Sequence, residues 1–244
     1  MDFKKWEKYY IKILDDFGFK REDDEKSASC LNEILSKRDY LSFNDLKNKS
    51  LLKTKHDFIV FGAGPSIKKH ALYLKKHSKY SKNYIIIAAD GATSALLEED
   101  IIPDIIVTDL DGKIEDLLKA NLKGSIFIIH AHGNNLDLIK KYTNNFNKVL
   151  GTTQSIPNEN VYNFGGFTDG DRAVFLAIAL GGKKILLGGM DFGSYVTNYS
   201  RPNIKKNIEM ADDIKIKKLK YAKELVGWIK ENKDVYIDSV ERDN

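Results

Sequence analysis

Three aspartates carry the strongest chemical signal in this 244-residue sequence. Asp109 and Asp111 stand two apart in Thr108-Asp109-Leu110-Asp111-Gly112, so on an extended backbone their side chains point the same way. Asp90 closes an earlier apolar run, in Ala89-Asp90-Gly91-Ala92. If the two runs are neighbouring strands, about 4.8 Å apart, all three carboxylates converge. Carboxylate oxygens without thiols, with water completing the shell, suit Mg²⁺. Taken singly, each acid has a plainer reading as a helix cap or turn residue; it is the clustering that favours a metal. An EF-hand is excluded, because the glycine and the terminal acid of that loop are out of place: Gly112 comes too early and Ala120 stands in the last position.

Further polar groups follow other apolar runs. Gly62-Ala63-Gly64-Pro65-Ser66 resembles the opening of a dinucleotide fingerprint, but Ile67 replaces the third glycine and Pro65 removes an amide donor. The Gly-Lys-Ser/Thr of a P-loop is also missing. What remains is a tight turn opening a helix, either a plain turn or an anion site. Gly62, Gly64, Pro65 and Ser66 are therefore candidate ligand contacts, joined by Gly91 after the second run. In Phe164-Gly165-Gly166-Phe167-Thr168-Asp169-Gly170-Asp171-Arg172, Thr168 or Asp169 suits an N-cap, while Arg172 beside the acids points to a shared polyphosphate. His130 and His132 alternate at a strand end without a third soft ligand for zinc, which leaves hydrogen bonding to substrate or packing. Asp191 ends Gly188-Gly189-Met190-Asp191 and is one more candidate contact. Cys30 has no partner and reads as structural.

These groups need a scaffold that brings chain-distant turns to one edge. Short β-branched runs at 58–61, 84–88, 105–108, 126–129, 148–150, 161–164, 185–187 and 235–237 are nearly all apolar, as in strands covered on both faces. Helical patterns at 66–77, 92–99, 114–121, 136–142 and 171–180 lie between them, and a long helix is expected over about 204–231. The alternation predicts an α/β, Rossmann-like, mainly parallel sheet flanked by helices. Ligands of such sheets bind outside the carboxyl ends of the strands, where the candidate residues lie. Residues 1–54 read as a helical N-terminal cap without chemistry of its own, and 55–244 as the catalytic domain. In the cap, an amphipathic helix through Phe3, Trp6, Tyr10, Ile13, Leu14 and Phe17 ends at Gly18. A charged turn at 21–26 and a short helix around Leu31 follow, and Ser42 with Asp45 suggests a capping box.

Composition narrows the function. The chain is 42% hydrophobic and 30% charged, enough for a core and too apolar for disorder. No apolar run is long enough for a membrane span, and the start of the chain lacks the apolar stretch of a secretory signal. One cysteine excludes a disulfide framework and a Cys-rich zinc site, so a cytoplasmic, reducing setting is expected. The net charge is +4, with basic residues dispersed among acids; the lysines at 205–206 and 215–220 read as a solvated helix face, not a nucleic-acid stripe. The aromatics Phe3, Trp6 and Tyr10, read as exposed, suggest a homodimer contact.

The ordered set Gly62-Ala63-Gly64-Pro65-Ser66, Ala89-Asp90-Gly91-Ala92, the stretch from Pro103 through Asp109, Asp111 and Gly112, His130-Ala131-His132-Gly133 and Gly188-Gly189-Met190-Asp191-Phe192 resembles the archaeal 6-hydroxymethyl-7,8-dihydropterin pyrophosphokinases of the MptE-like family. The segments around Asp90, Asp109 to Asp111, Thr168-Asp169 and Gly188-Gly189 are also similar to thiamin pyrophosphokinase. The chain departs from that enzyme in ending with a helix and one strand, too little for its C-terminal β-sandwich, which favours the pterin over thiamin.

The resemblance implies Mg²⁺-dependent transfer of pyrophosphate from ATP to the pterin hydroxymethyl group, releasing AMP. It implies a catalytic set of Asp109 and Asp111 holding Mg²⁺, Asp90 completing the shell, and Arg172 offsetting phosphate charge. Asp191, His130 and His132 would face the pterin or the adenosine. Two other classes stay open on the residues alone. A nucleotide-sugar glycosyltransferase shares the Gly-x-Gly-Pro-Ser turn, and a non-catalytic nucleotide- or pterin-binding module would use the same strand ends.

Overall fold

The computed structural model describes residues 3–77 and 79–242. Helices α1 (Phe3–Phe17), α2 (Arg21–Ser36), α3 (Phe43–Lys47) and α4 (Ser50–Thr54) come first. Strands and helices then alternate: β1 (Asp57–Phe61), α5 (Ile67–Lys76), α6 (Lys79–Asn83), β2 (Tyr84–Ala89), α7 (Ala92–Glu98), β3 (Ile105–Thr108) and α8 (Ile114–Leu122). The pattern continues through β4 (Ile126–Ala131), α9 (Leu136–Tyr142), β5 (Val149–Thr153), β6 (Val161–Tyr162), α10 (Asp169–Ala179) and β7 (Lys184–Gly188). A hairpin of β8 (Tyr195–Thr197) and β9 (Ile208–Met210), then α11 (Asp213–Asn232) and β10 (Tyr236–Ser239), complete the fold.

Eight strands form one parallel sheet in the order β10-β7-β1-β2-β3-β4-β5-β6. The expected α/β architecture is observed. Its strands are apolar throughout because both faces are covered: in β1, Ile59 and Phe61 enter one core while Phe58 and Val60 enter the other. The first core is built with α2, α5, α7, α8 and α9, the second with α1, α10 and α11. After β6 the chain crosses to the second face through α10 and returns to pair β7 beside β1. The order of strands therefore reverses at β1 and β7, and a crevice opens at their carboxyl ends.

The N-terminal helices are more integrated than the sequence suggested. Gly18 ends α1 in the left-handed region, as expected. Residues 21–26, read as a charged turn, are instead the first turns of α2. Glu22, Asp23 and Asp24 sit at its positive N-terminal end, where acids are favoured. Ser42 and Asp45 form the expected capping box. Trp6 and Tyr10, read as exposed dimer aromatics, are fully buried within the chain, so the observation that suggested a homodimer does not hold. The Trp6 indole N–H donates to the Gln154 carbonyl at 2.7 Å, and the Tyr10 hydroxyl donates to Asp24 at 2.6 Å.

The C-terminal region also differs. The helix expected from about residue 204 begins at Asp213; the preceding residues form the β8–β9 hairpin. Asp212 sets that boundary by accepting the backbone N–H of Lys215 at 2.7 Å as an N-cap, while Glu209 accepts the N–H groups of Lys205 and Lys206 in the hairpin turn. Among the described residues no helix is long and apolar enough to cross a membrane.

Trp6→Ala tests how far α1 belongs to the core. Emptying this fully buried site and removing one of the two donors to the Gln154 carbonyl, the other being the Asn163 amide, should cost about 3–5 kcal/mol in urea unfolding. A loss below about 1 kcal/mol would show α1 to be peripheral.

Candidate active site

The expected convergence of acids is present, though by a different backbone route. β2 and β3 are adjacent, and the Asp90 N–H donates to the Val107 carbonyl at 2.7 Å, which sets Asp90 level with the end of β3. Asp109 and Asp111 are not joined by extended backbone. Leu110 between them lies in the left-handed region, φ 70°, with its side chain buried in the core. The Thr108 hydroxyl accepts the Leu110 N–H at 2.8 Å and donates to Asp90 at 2.5 Å, so one side chain fixes both the turn and the acid. A left-handed leucine costs on the order of 1–2 kcal/mol, which its burial offsets.

The outcome is that Asp90, Asp109 and Asp111 each present an oxygen within 4.8 Å of the others. Gly112 leaves room for this arrangement: a Cβ there would lie 2.4 Å from an Asp90 oxygen and push the carboxylate aside. Gly91 is equally constrained, since its Cβ would fall 1.8 Å from the Tyr199 carbonyl, where the segment after β8 packs over the β2 turn.

Crowding sets the protonation of the cluster. Burial, then repulsion from Asp109, pushes Asp90 up to about 6. Burial, then the charges of Asp109 and Asp90, pushes Asp111 up to about 8. Burial also pushes on Asp109, but the His132 imidazole at 3.1 Å outweighs it and holds this carboxyl at about 2. Asp169 is raised well above the ordinary range by burial and the other three acids. Negative charge is thus concentrated where a cation would relieve it.

A cleft surrounds the cluster. Gly62, Gly64, Pro65, Gly91, His130, His132, Asp169 and Asp191 line it as the sequence suggested. Their neighbours fix several of them. Asp191 accepts the Ser66 N–H at 3.0 Å, so the turn before α5 already holds one of the protein's own carboxylates. Thr168 is engaged with Asp171, which accepts the N–H groups of Phe167 and Thr168 at 2.6 and 2.8 Å; this capping box frees Asp169 to face the cleft. Asn135 donates to the Asp109 and His130 carbonyls and accepts the His132 N–H, pinning the β4 turn against the β3 turn. His130 is buried against His132, ring centroids 5.4 Å apart, and burial, then the Arg172 charge, keeps it neutral.

Arg172 lies elsewhere than expected. Its guanidinium is buried and donates to the carbonyls of Gly166 at 2.8 Å and Gly165 at 3.4 Å, behind the cleft wall. It fixes the turn that presents Thr168 and Asp169, and its side chain is not among those lining the cleft.

Two groups escaped the sequence reading. Lys215 and Lys218, assigned to a solvated face, line the cleft with Leu219 and Ala222; only the outward members of the run, such as Lys220, fit that reading. The i, i+3, i+4, i+7 stripe was legible as one helix face, but the false start at 204 left its direction open. Asp24 on α2 is buried and accepts the Gly133 N–H at 2.7 Å, the Gln154 amide at 2.9 Å and Tyr10. The helical N-terminus therefore braces the His132 turn, a structural role that its reading as a cap without chemistry of its own did not include.

Relatives match this chain almost end to end. It is 51% identical over 238 residues to the 6-hydroxymethyl-7,8-dihydropterin pyrophosphokinase of Methanothermobacter thermautotrophicus, covering 98% of this chain and 99% of that protein. It is 52% identical over 241 residues to the protein of the same name from Methanocaldococcus jannaschii, covering 96% and 98%. The Pyrococcus furiosus protein of that name is 44% identical over 232 residues, covering 95% and 96%. A family profile described as 6-hydroxymethylpterin diphosphokinase MptE-like matches residues 29–197, which include the acids and both glycine turns of the cleft. On these matches and on the cleft they span, the chain belongs to the MptE-like 6-hydroxymethylpterin diphosphokinase family.

Proposed function

We propose that this protein transfers pyrophosphate from ATP to the hydroxymethyl group of 6-hydroxymethyl-7,8-dihydropterin, releasing AMP. The observation that carries the reading is the triad of Asp90, Asp109 and Asp111 lining a cleft in a chain whose relatives bear that enzyme's name. The donor set fits Mg²⁺: three hard carboxylate oxygens, no thiol, and a Gly112 that leaves the space beside Asp90 open. Bound there, Mg²⁺ supplies charge neutralisation of the phosphates during transfer.

The residues position the rest. In the reaction the hydroxymethyl oxygen forms a bond to the β-phosphorus. The bond from that phosphorus to the α,β-bridging oxygen breaks, its electron pair leaving with AMP, and the hydroxyl proton passes to solvent. Such transfer depends mainly on alignment and on fixed charges at the phosphates. His132 orients Asp109, Thr108 orients Asp90, and Asn135 locks the two turns together. Arg172 acts at one remove, by holding the Gly165–Gly166 turn. The turns at Gly62 to Ser66 and Gly189 to Asp191, at the ends of the neighbouring strands β1 and β7, form the next stretch of wall, tied by the Gly62 and Gly64 N–H groups donating to the Gly188 and Gly189 carbonyls. Incubation with ATP, Mg²⁺ and the dihydropterin should yield AMP and the pterin diphosphate. ADP as product, or no turnover, would overturn the reading.

Asp111→Asn should lower kcat about 100-fold, on the order of 3 kcal/mol of transition-state stabilisation, while keeping or slightly raising the Tm because repulsion is relieved. If Asp111 only shaped the turn, the variant would instead lose about 1 kcal/mol of stability and turn over normally.

Stability should depend on pH in a metal-sensitive way. Asp90 and Asp111, raised to about 6 and about 8, bind protons more readily folded than unfolded. Without metal, their stabilising contribution is therefore present at pH 4 and lost as pH rises through 6 and 8. Asp109, held at about 2, acts oppositely but only below pH 4. In EDTA the Tm should fall between pH 5 and 8.5, and Mg²⁺ should raise it more at pH 8.5 than at pH 5. A Tm at pH 8.5 indifferent to Mg²⁺ would place the metal elsewhere.

A further inference from the structure

The charge balance of the cleft is incomplete without α11. Among the described residues five aspartates line it: Asp90, Asp109, Asp111, Asp169 and Asp191. A polyphosphate entering beside them brings several more negative charges. With Arg172 behind the wall, Lys215 and Lys218 are the only lysine or arginine side chains among the described residues that line the cleft. Neither ammonium forms a salt bridge with a described residue, although the outward lysine of the same helix, Lys217, is paired with Asp16.

Lys218 is held with particular care. Its ammonium lies 5.7 Å from the Phe19 ring centroid and 5.8 Å from that of Phe167, so aromatic faces steer it without neutralising it. Burial, then the nearby Lys215, lowers its pKa, while Asp109, Asp111 and Asp169 pull the other way through the cleft. A half-buried ammonium without an ion-pair partner is costly unless an anion arrives. Rings on one side and carboxylates beyond leave a gap bounded by cations and by the acid cluster.

We propose that Lys218, assisted by Lys215, forms the cationic wall of a polyphosphate subsite. It contacts the phosphoryl oxygens of the group being transferred, opposite the carboxylates that hold the metal. The assignment rests on the pyrophosphokinase reading for its substrate, but it concerns a chemistry that can be probed alone. Lys218 thereby takes the charge-offsetting role that the sequence assigned to Arg172.

The test uses the full chain. Lys218→Met preserves length and apolar packing while removing charge; Lys218→Arg preserves charge; Lys220→Met, on the exposed side of α11, is the control. Lys218→Met should fold with an unchanged Tm and lose about 100-fold in kcat, with the pterin KM within about threefold of wild type. Lys218→Arg should recover at least about tenfold of that loss, and Lys220→Met should match wild type. Calorimetry with inorganic tripolyphosphate and Mg²⁺ should show at least about tenfold weaker binding to Lys218→Met. This arm stands even if the wild type fails to turn over the pterin, in which case the enzyme reading fails and the subsite remains. If Lys218→Met keeps kcat and tripolyphosphate affinity within threefold of wild type, the proposal is wrong. It is equally wrong if Met serves better than Arg, since that marks the side chain as packing.

Discussion

Everything in this cleft depends on holding like charges together against their repulsion. Three carboxylates within a few ångströms, in a partly desolvated setting, oppose one another strongly. The fold meets this with rigid anchoring. Leu110 drives its side chain into the core from a left-handed backbone, Thr108 ties the turn to Asp90, and His132 holds the most acidic of the three. Each anchor is fixed in turn by a parallel strand buried on both faces. The result is a cluster held by the fold's own hydrogen bonds and packing.

The same rigidity explains the reach of the N-terminal helices. A turn carrying His132 at a strand end would be free to swing if only Asn135 held it. Asp24 adds a second tether from α2 through the Gly133 N–H, and Tyr10, Gln154 and Trp6 link that tether to α1. A buried carboxylate is tolerable there because three donors satisfy it. The helices thus reach the His132 side of the site through this hydrogen-bonded chain, and the Lys218 side through Phe19.

Much of this was legible in the sequence because parallel α/β sheets write their function at strand ends. The apolar runs gave the strands, and the residues after each run gave most of the cleft, though not its α11 side. What failed to show had specific causes. A left-handed leucine between two aspartates leaves no local signature, since any extended Asp-x-Asp reads alike. The β8–β9 hairpin is short, polar and lysine-bearing, and its residues blend into the helical spacing of α11 until Asp212 is recognised as a cap. Arg172 looked catalytic from its acidic neighbours, yet the carbonyls of two consecutive glycines six and seven residues earlier were the nearer partners. Asp24 lies among charged residues in a helix start, where composition argues for exposure and only tertiary packing reveals burial.

The order of strands has a kinetic side. β1 sits near the middle of the sheet, but its neighbour β7 follows far later in the chain, and the Ser66 to Asp191 link spans 125 residues. A chain emerging from synthesis can pair β1 with β2, then β3 and onwards, with largely local contacts. The β1–β7 side of the cleft closes only after α10 has crossed the sheet, a long-range step of the kind that slows folding. Until then the nascent protein displays its acid cluster beside the unpaired edge of β1, a hydrophobic strand exposed to partners of the wrong kind. The sheet that makes the site so rigid when finished leaves it longest at risk while it forms.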